Sequence, residues 1–209
     1  MEINWLEQIE PLLQTYGKRK HPLDYNNRYQ LVVMVILSAQ DSDIHINELS
    51  KDFFKHYPSM SELAKASIED IQNHLRSVRN FGNKSKWLVE IANTIGDDSK
   101  IPTSMAELVK LPGIGRKSAN VIIRESGDKA EGIIVDLHVI RVAPRLGIAE
   151  GDKPEKIEKQ LMEIIPQNRW NETGMALSYL GREICRPTDP KCTSCMMNKV
   201  CRYYNTGKV

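Results

Sequence analysis

Cysteine is absent from this chain before position 185, long hydrophobic runs are absent throughout, and neither sign of charge dominates. Each absence narrows the field. The longest apolar stretch is the seven residues Leu31-Val-Val-Met-Val-Ile-Leu37, against about 20 needed to cross a bilayer as a helix, so no membrane association is expected. Met1-Glu-Ile-Asn-Trp5 carries none of the marks of a secretory signal, and the expectation is a soluble cytoplasmic protein whose thiols stay reduced. A formal net charge of +2 falls short of the strongly basic balance that announces a nucleic-acid binder. Strand–turn–strand alternation and internal repeats are missing as well. At 209 residues there is length for one large domain or two small ones.

Against that background stand four cysteines in the last quarter, Cys185, Cys192, Cys195 and Cys201, spaced C-x6-C-x2-C-x5-C. Four thiols crowded so closely read as one ligand cage. Two short disulfides are an alternative that a reducing compartment disfavours. Zinc sites usually present two C-x2-C-like pairs across a longer loop, whereas this array has a single C-x2-C and uneven flanking gaps. An iron–sulfur cluster tolerates uneven spacing, because its thiolates wrap several iron corners rather than one ion. Spacing alone favours iron–sulfur and leaves zinc open.

The charges, though balanced overall, are clustered. His74, Arg76, Arg79, Lys84 and Lys86 fall between residues 71 and 89 with no carboxylate among them, and Arg116, Lys117 and Arg124 fall between 111 and 124 with none. From Gly181 onward six Lys or Arg face only Glu183 and Asp189. Each patch alone is an ordinary solvated face, but three of them suit a protein that touches phosphates at several places.

Helix punctuation recurs. Ile3, Leu6, Ile9, Leu13 and Tyr16 share a face of an opening helix, Ser59-x-x-Glu62, Ser67-x-x-Asp70 and Ser104-x-x-Glu107 read as capping boxes or close relatives, and Pro154 opens a helix with the stripe Ile157, Leu161, Ile164 and Ile165. The chain is expected to be all-α. Residues 31–37 and Gly132-Ile-Ile-Val135 are β-branched enough to pass for buried strands, and periodicity leaves them ambiguous.

Leu111-Pro-Gly-Ile-Gly-Arg-Lys-Ser-Ala-Asn120 should stop one helix at Pro112, turn through Gly113 and Gly115, and restart at Arg116. Glycines there let the backbone approach a flat partner closely, and a helix amino terminus offers unpaired N–H donors and partial positive charge to a phosphate. A plain helix–helix turn remains the alternative. Lys117 reads from the residues as a phosphate contact or, near a helix amino terminus and Arg116 that favour its neutral form, as an amine nucleophile. Asp136, after an apolar run, reads as a helix cap.

Leu111-Pro-Gly-Ile-Gly-Arg-Lys117, Val135-Asp-Leu-His138, Leu37-Ser-Ala-Gln40 and the four-cysteine array together resemble endonuclease III, in the helix–hairpin–helix DNA glycosylase superfamily, over nearly the whole chain. The resemblance implies two helical domains with a DNA cleft between them: a six-helix domain over 22–133 with the helix–hairpin–helix at about 104–126, and a second from 1–21 plus 134–209 around a [4Fe-4S] cluster held by the four cysteines. It makes 31–37 a buried central helix and Asp136 the cap of the helix that follows. Lys117 becomes the nucleophile that attacks the sugar C1′, and Asp136 the carboxylate that activates attack and opposes positive charge as the base departs. Gln40 fills the gap left by an extruded base. Gly113, Gly115, Arg116, Lys84 and His138 become DNA contacts, and the partner is duplex DNA with a damaged base or abasic site, bound by a monomer that in a prokaryote would be nucleoid associated.

This sequence departs from the family in two places. Asn80 stands where an apolar wedge, usually leucine, is expected, with Phe81 or Arg79 as substitutes, and Asp41 follows Gln40 where the family commonly has a neutral residue. The implied activity is excision of damaged, oxidised pyrimidines with abasic-site lyase activity through a lysine Schiff base. The rivals are a mismatch- or uracil-specific glycosylase of the same fold, whose members typically lack the lysine, and a non-catalytic zinc-containing DNA-binding module.

Overall fold

The computed structural model describes residues 3–207. In chain order its α-helices are α1 (Trp5–Gln8), α2 (Glu10–Tyr16), α3 (Arg28–Leu37), α4 (Asp43–His56), α5 (Met60–Leu63), α6 (Ile68–Leu75), α7 (Phe81–Ile95), α8 (Met105–Leu108), α9 (Arg116–Glu125), α10 (Leu137–Leu146), α11 (Pro154–Ile164), α12 (Trp170–Glu183) and α13 (Arg202–Asn205). No strand occurs among the described residues. None of the described helices is long and apolar enough to cross a membrane. The helices fall into two compact units, His21–Lys129 carrying α3 to α9, and Met1–Lys20 with Ala130–Val209 carrying the rest.

The first unit is built around α3. Leu31 through Leu37 are all buried, and a helix apolar all round is stable only with neighbours on every side; α4, α7 and α9 supply them. Its start is fixed by Asn27, whose side chain accepts the Gln30 N–H at 2.9 Å. Capping and tertiary burial thus turn a β-branched run into a helix, as the resemblance implies. Ser59, Ser67 and Ser104 all cap their helices by accepting the N–H three residues on, so the three serine signals mark true helix starts. Each such cap contributes about 1 kcal/mol.

In the second unit α12 packs against α2 and α10. The opening helix is in a different register from the expected stripe: Trp5, Ile9, Leu12, Leu13 and Tyr16 are buried, whereas Ile3 and Leu6 are 42% and 52% exposed. The helix also restarts at Glu10, because Pro11 lacks an N–H and is tolerated only in a first turn. Residues 132–135 belong to neither a helix nor a strand. Ile133 donates its N–H to Glu158 Oε1 at 3.2 Å. The segment lies directly on α12 at Gly174, where a Cβ would sit 2.6 Å from the Ile134 carbonyl oxygen. Pro154 opens α11, and Ile157, Leu161 and Ile165 are buried as the stripe requires.

Candidate functional site

The hairpin forms much as its residues dictate. α8 ends at Leu108, earlier than Pro112, and α9 restarts at Arg116 with Gly115 as its cap. Gly113 is doubly constrained: its φ is +78°, and a Cβ would lie 2.5 Å from Trp87 Cε3, so the turn is pressed onto an aromatic face that admits no side chain. Gly115 has open space around its would-be Cβ, so the start of α9 is open to close approach by a flat partner. Gly113, Gly115, Arg116 and Lys117 are all exposed. One surface therefore offers a helix start, a guanidinium and an amine, the equipment for gripping a phosphate beside a nucleophile.

Asp136 is held rigidly in the other unit. Its Oδ1 accepts the N–H groups of His138 and Val139, each at 2.9 Å, and its Oδ2 accepts the Ser178 hydroxyl at 2.6 Å, with Arg182 Nη2 4.0 Å away. It is the cap of α10, and 14% of its side chain remains exposed. His138 is half-buried, with Nδ1 3.2 Å from Arg141 Nη2, and Arg141 also donates to the carbonyls of Gly181 and Cys185. The motif around Asp136 is thus tied to the start of the cysteine loop.

Gln40 is exposed just past α3 in the left-handed conformation, φ 62°, and Asn80 is exposed before α7 with φ 59°. Phe81 opens α7 and is 36% exposed. The structure corrects the phosphate contact expected of Lys84. That side chain is 1% exposed, and its ammonium donates at 2.7 Å to the carbonyls of Leu37 and Ala39. Burial pushes its pKa down, partly opposed by the nearby Asp41 carboxylate. Lys84 caps the end of α3 from inside. Lys84→Met should therefore destabilise the protein by on the order of 2–4 kcal/mol, because two carbonyls lose their donor. It should leave the salt dependence of DNA binding unchanged, whereas removing a phosphate contact would flatten the log–log salt slope by about 0.9.

Sequence reasoning missed Ser178 and Arg182, which hold Asp136, because nothing in their spacing ties α12 to α10. It also missed two exposed apolar side chains, Ile44 at 79% beyond the Gln40 loop and Leu137 at 80% beside Asp136. An apolar residue on the polar side of a helix start was the signal available.

The four cysteines form no disulfide and line one pocket with Leu146, Leu180, Ile184, Asn198, Tyr203 and Tyr204, partly open to solvent. Sulfur meets N–H donors there: Arg145 Nη1 lies 3.6 Å from Cys185 Sγ, and the Met197 N–H lies 3.4 Å from Cys195 Sγ. Burial, reinforced by neighbouring sulfurs, pushes the Cys192 and Cys195 thiols up in pKa.

A model of the HhH-GPD superfamily of base excision DNA repair proteins matches residues 33–167. Proteins named endonuclease III from Synechocystis sp. and Bacillus subtilis are each 35% identical to this chain, over 86% and 94% of its length and 83% and 93% of theirs. The chain belongs to the endonuclease III family of HhH-GPD proteins. A solved structure of a trapped endonuclease III–DNA covalent intermediate, an estranged-adenine complex, superposes on it with a TM-score of 0.89 at 29% identity, covering 100% of each chain. Endonuclease III similarity therefore spans both units, taking in the hairpin, Asp136 and the cysteine loop.

Proposed function

We propose that this chain is a base excision repair DNA glycosylase with abasic-site lyase activity, removing damaged, oxidised pyrimidines from duplex DNA. One observation carries the reading: a single glycine hairpin presents a helix start with the exposed Arg116 and Lys117 together, in a chain that superposes over its full length on a trapped endonuclease III–DNA covalent intermediate. The amides and Arg116 hold a phosphate, which aims the Lys117 amine at C1′. As the N–C1′ bond forms, the glycosidic bond breaks and the base leaves with its electron pair. The fixed Asp136 carboxylate opposes the positive charge that develops on the sugar. The bound amine then loses a proton and the C1′–O4′ bond opens, O4′ taking up a proton, to give the imine; loss of a proton from C2′ of that imine breaks the C3′–O bond, the phosphate leaving with the electron pair, and nicks the strand. Single-turnover excision from a panel of duplexes, each with one defined lesion, tests the substrate class. Oxidised pyrimidines should be released at least about tenfold faster than mispaired but undamaged bases, a difference of roughly 1.4 kcal/mol in barrier; faster release of mispaired bases overturns it.

Cys185, Cys192, Cys195 and Cys201 would hold a [4Fe-4S] cluster, and two features support that assignment: the apolar lining, and the N–H groups aimed at sulfur. When bound, the cluster supplies a rigid cross-link for a loop that has little regular structure of its own. Arg145 braces that loop from α10 by donating to the carbonyls of Arg186 and Pro187 at 2.7 and 3.2 Å. The purified protein should be brown and contain about four iron and four acid-labile sulfide per chain with little zinc. Stoichiometric zinc without sulfide in an anaerobic preparation refutes the assignment. Cys192→Ser should lower solubility and DNA binding together, since losing a ligand unravels the loop.

A further inference from the structure

Gln40 and Asn80, on separate loops, share an unusual backbone: with Asp189, they are the positive-φ residues other than glycine among the described residues. For a side-chain-bearing residue that conformation costs of order 1 kcal/mol or more and persists only where the surroundings over-determine it. The surroundings here converge on Asp41. Its Oδ1 accepts the Ser42 N–H at 2.9 Å and lies 2.8 Å from His45 Nδ1; its Oδ2 accepts the Arg79 N–H at 3.0 Å. The other ring nitrogen of His45 lies 3.0 Å from Ser77 Oγ. Two bridges thus join the residue after Gln40, and the first turn of α4, to the turn immediately before Asn80. Lys84 secures the same place from below through the Leu37 and Ala39 carbonyls.

These contacts also account for a carboxylate at a surface expected to face phosphates. Asp41 is only 13% exposed along its side chain, both its oxygens are engaged by protein donors, and the buried Lys84 ammonium offsets its charge. It is aimed at the neighbouring loop rather than outward. We propose that Asp41, assisted by His45, is a positioning residue that locks the Gln40 loop to the Asn80 turn, so that the two enter the duplex as one rigid element when the damaged base leaves the stack. This rests on the gap-filling reading of Gln40 within the proposed function, since extrusion leaves a void that must be filled.

The test is a double-mutant cycle in the cluster-containing protein, using Asp41→Ala, Gln40→Ala and the combination, with single-turnover excision of an oxidised pyrimidine and cleavage of a pre-formed abasic site measured in parallel. Asp41→Ala should slow excision by about tenfold or more, since small misplacements of a positioned group cost that much, while abasic cleavage stays within about threefold. The combined variant should excise within about twofold of Gln40→Ala alone, because Asp41 acts through Gln40. Independent, multiplicative losses would sink the proposal, as would wild-type excision by Asp41→Ala. Should Asp41→Ala fold poorly by circular dichroism, His45→Gln removes one bridge and should reproduce the same selectivity with a smaller loss; equal slowing on both substrates would again overturn the idea. If Gln40→Ala alone slows both substrates equally, the gap-filling reading itself fails; a selective Gln40→Ala beside a neutral Asp41→Ala refutes only the coupling.

A different cluster carries a second inference independently. Asp52 and His56, one turn apart on α4, and His74 on α6 each offer a ligand atom, all within 4.8 Å of one another, and no other group of three does so among the described residues. His56 Nδ1 lies 3.0 Å from the Asp52 carbonyl oxygen and 3.6 Å from Asp52 Oδ2, and His74 Nδ1 lies 3.7 Å from the same carboxylate oxygen, so one carboxylate faces both imidazoles. The two rings are 4.5 Å apart between centroids, and His74 is braced edge-on by Phe53 and Tyr57. We infer that this triad is a site for a divalent transition metal of the zinc or nickel class, with water completing the coordination. Calorimetric titration of nickel(II) into the cluster-containing protein should show one equivalent bound at micromolar concentration, weakened about tenfold or more by His56→Asn, an exposed substitution that spares the fold. No binding by the wild type, or unchanged binding in both His56→Asn and Asp52→Asn, would refute it.

Discussion

Lys117→Gln should abolish borohydride trapping on an abasic-site duplex and reduce strand nicking to background, while binding to the same duplex survives within a few-fold. The expectation follows from where the lysine sits. It is exposed in the first turn of α9, where glutamine has nearly the same helix propensity, so the fold should change by less than about 0.5 kcal/mol. The amine is the only group lost. Trapping requires an imine between that amine and C1′, formed with loss of water, which hydride converts to a stable secondary amine. A glycosylase that uses water as its nucleophile forms no such bond, so the measurement separates the lyase from a mismatch- or uracil-specific enzyme of the same fold. Undiminished trapping in Lys117→Gln would assign the chemistry to another amine, such as the amino terminus or a neighbouring lysine.

The parts of this molecule legible in its sequence are those fixed locally. Ser59, Ser67 and Ser104 announce helix starts because a hydroxyl reaches an N–H three residues away whatever surrounds it. The hairpin glycines are legible because a turn at Gly113 demands positive φ, and the gathering of the four cysteines around one pocket because they lie close along the chain. Lys84 was misread for the opposite reason. Its sequence neighbours are basic and polar, yet α7 turns it inward beneath α3, and no local pattern says which way a single lysine will face. The same holds for Asp41, whose partners Ser77 and Arg79 are far along the chain, and for Ser178 and Arg182 behind Asp136. The stripe at the amino terminus slipped because periodicity alone cannot choose between Leu6 and Trp5 when a proline restarts the helix a turn later.

Asp136→Asn should slow base excision by about 10²–10³-fold with little change in melting temperature. Asparagine retains the Oδ1 acceptor that caps α10 through the His138 and Val139 N–H groups, so the helix start is kept. At the other position an amide replaces Oδ2, and the Ser178 hydroxyl, which now donates to that oxygen at 2.6 Å, can rotate to accept instead. What disappears is the negative charge, which the proposed mechanism uses to oppose positive charge on the sugar as the base departs. Cleavage at a pre-formed abasic site, where no base has to leave, should fall by about tenfold or less, so the ratio of the two rates is the diagnostic quantity. Asp136→Ala removes charge and cap together and should add about 1 kcal/mol of destabilisation to the same catalytic defect. Ser178→Ala leaves the charge but loosens its aim, and its effect on excision should lie between wild type and Asp136→Asn. If Asp136→Asn excises at the wild-type rate while Asp136→Ala unfolds more easily, the aspartate is a helix cap and nothing more, and the charge that opposes the sugar cation must come from elsewhere.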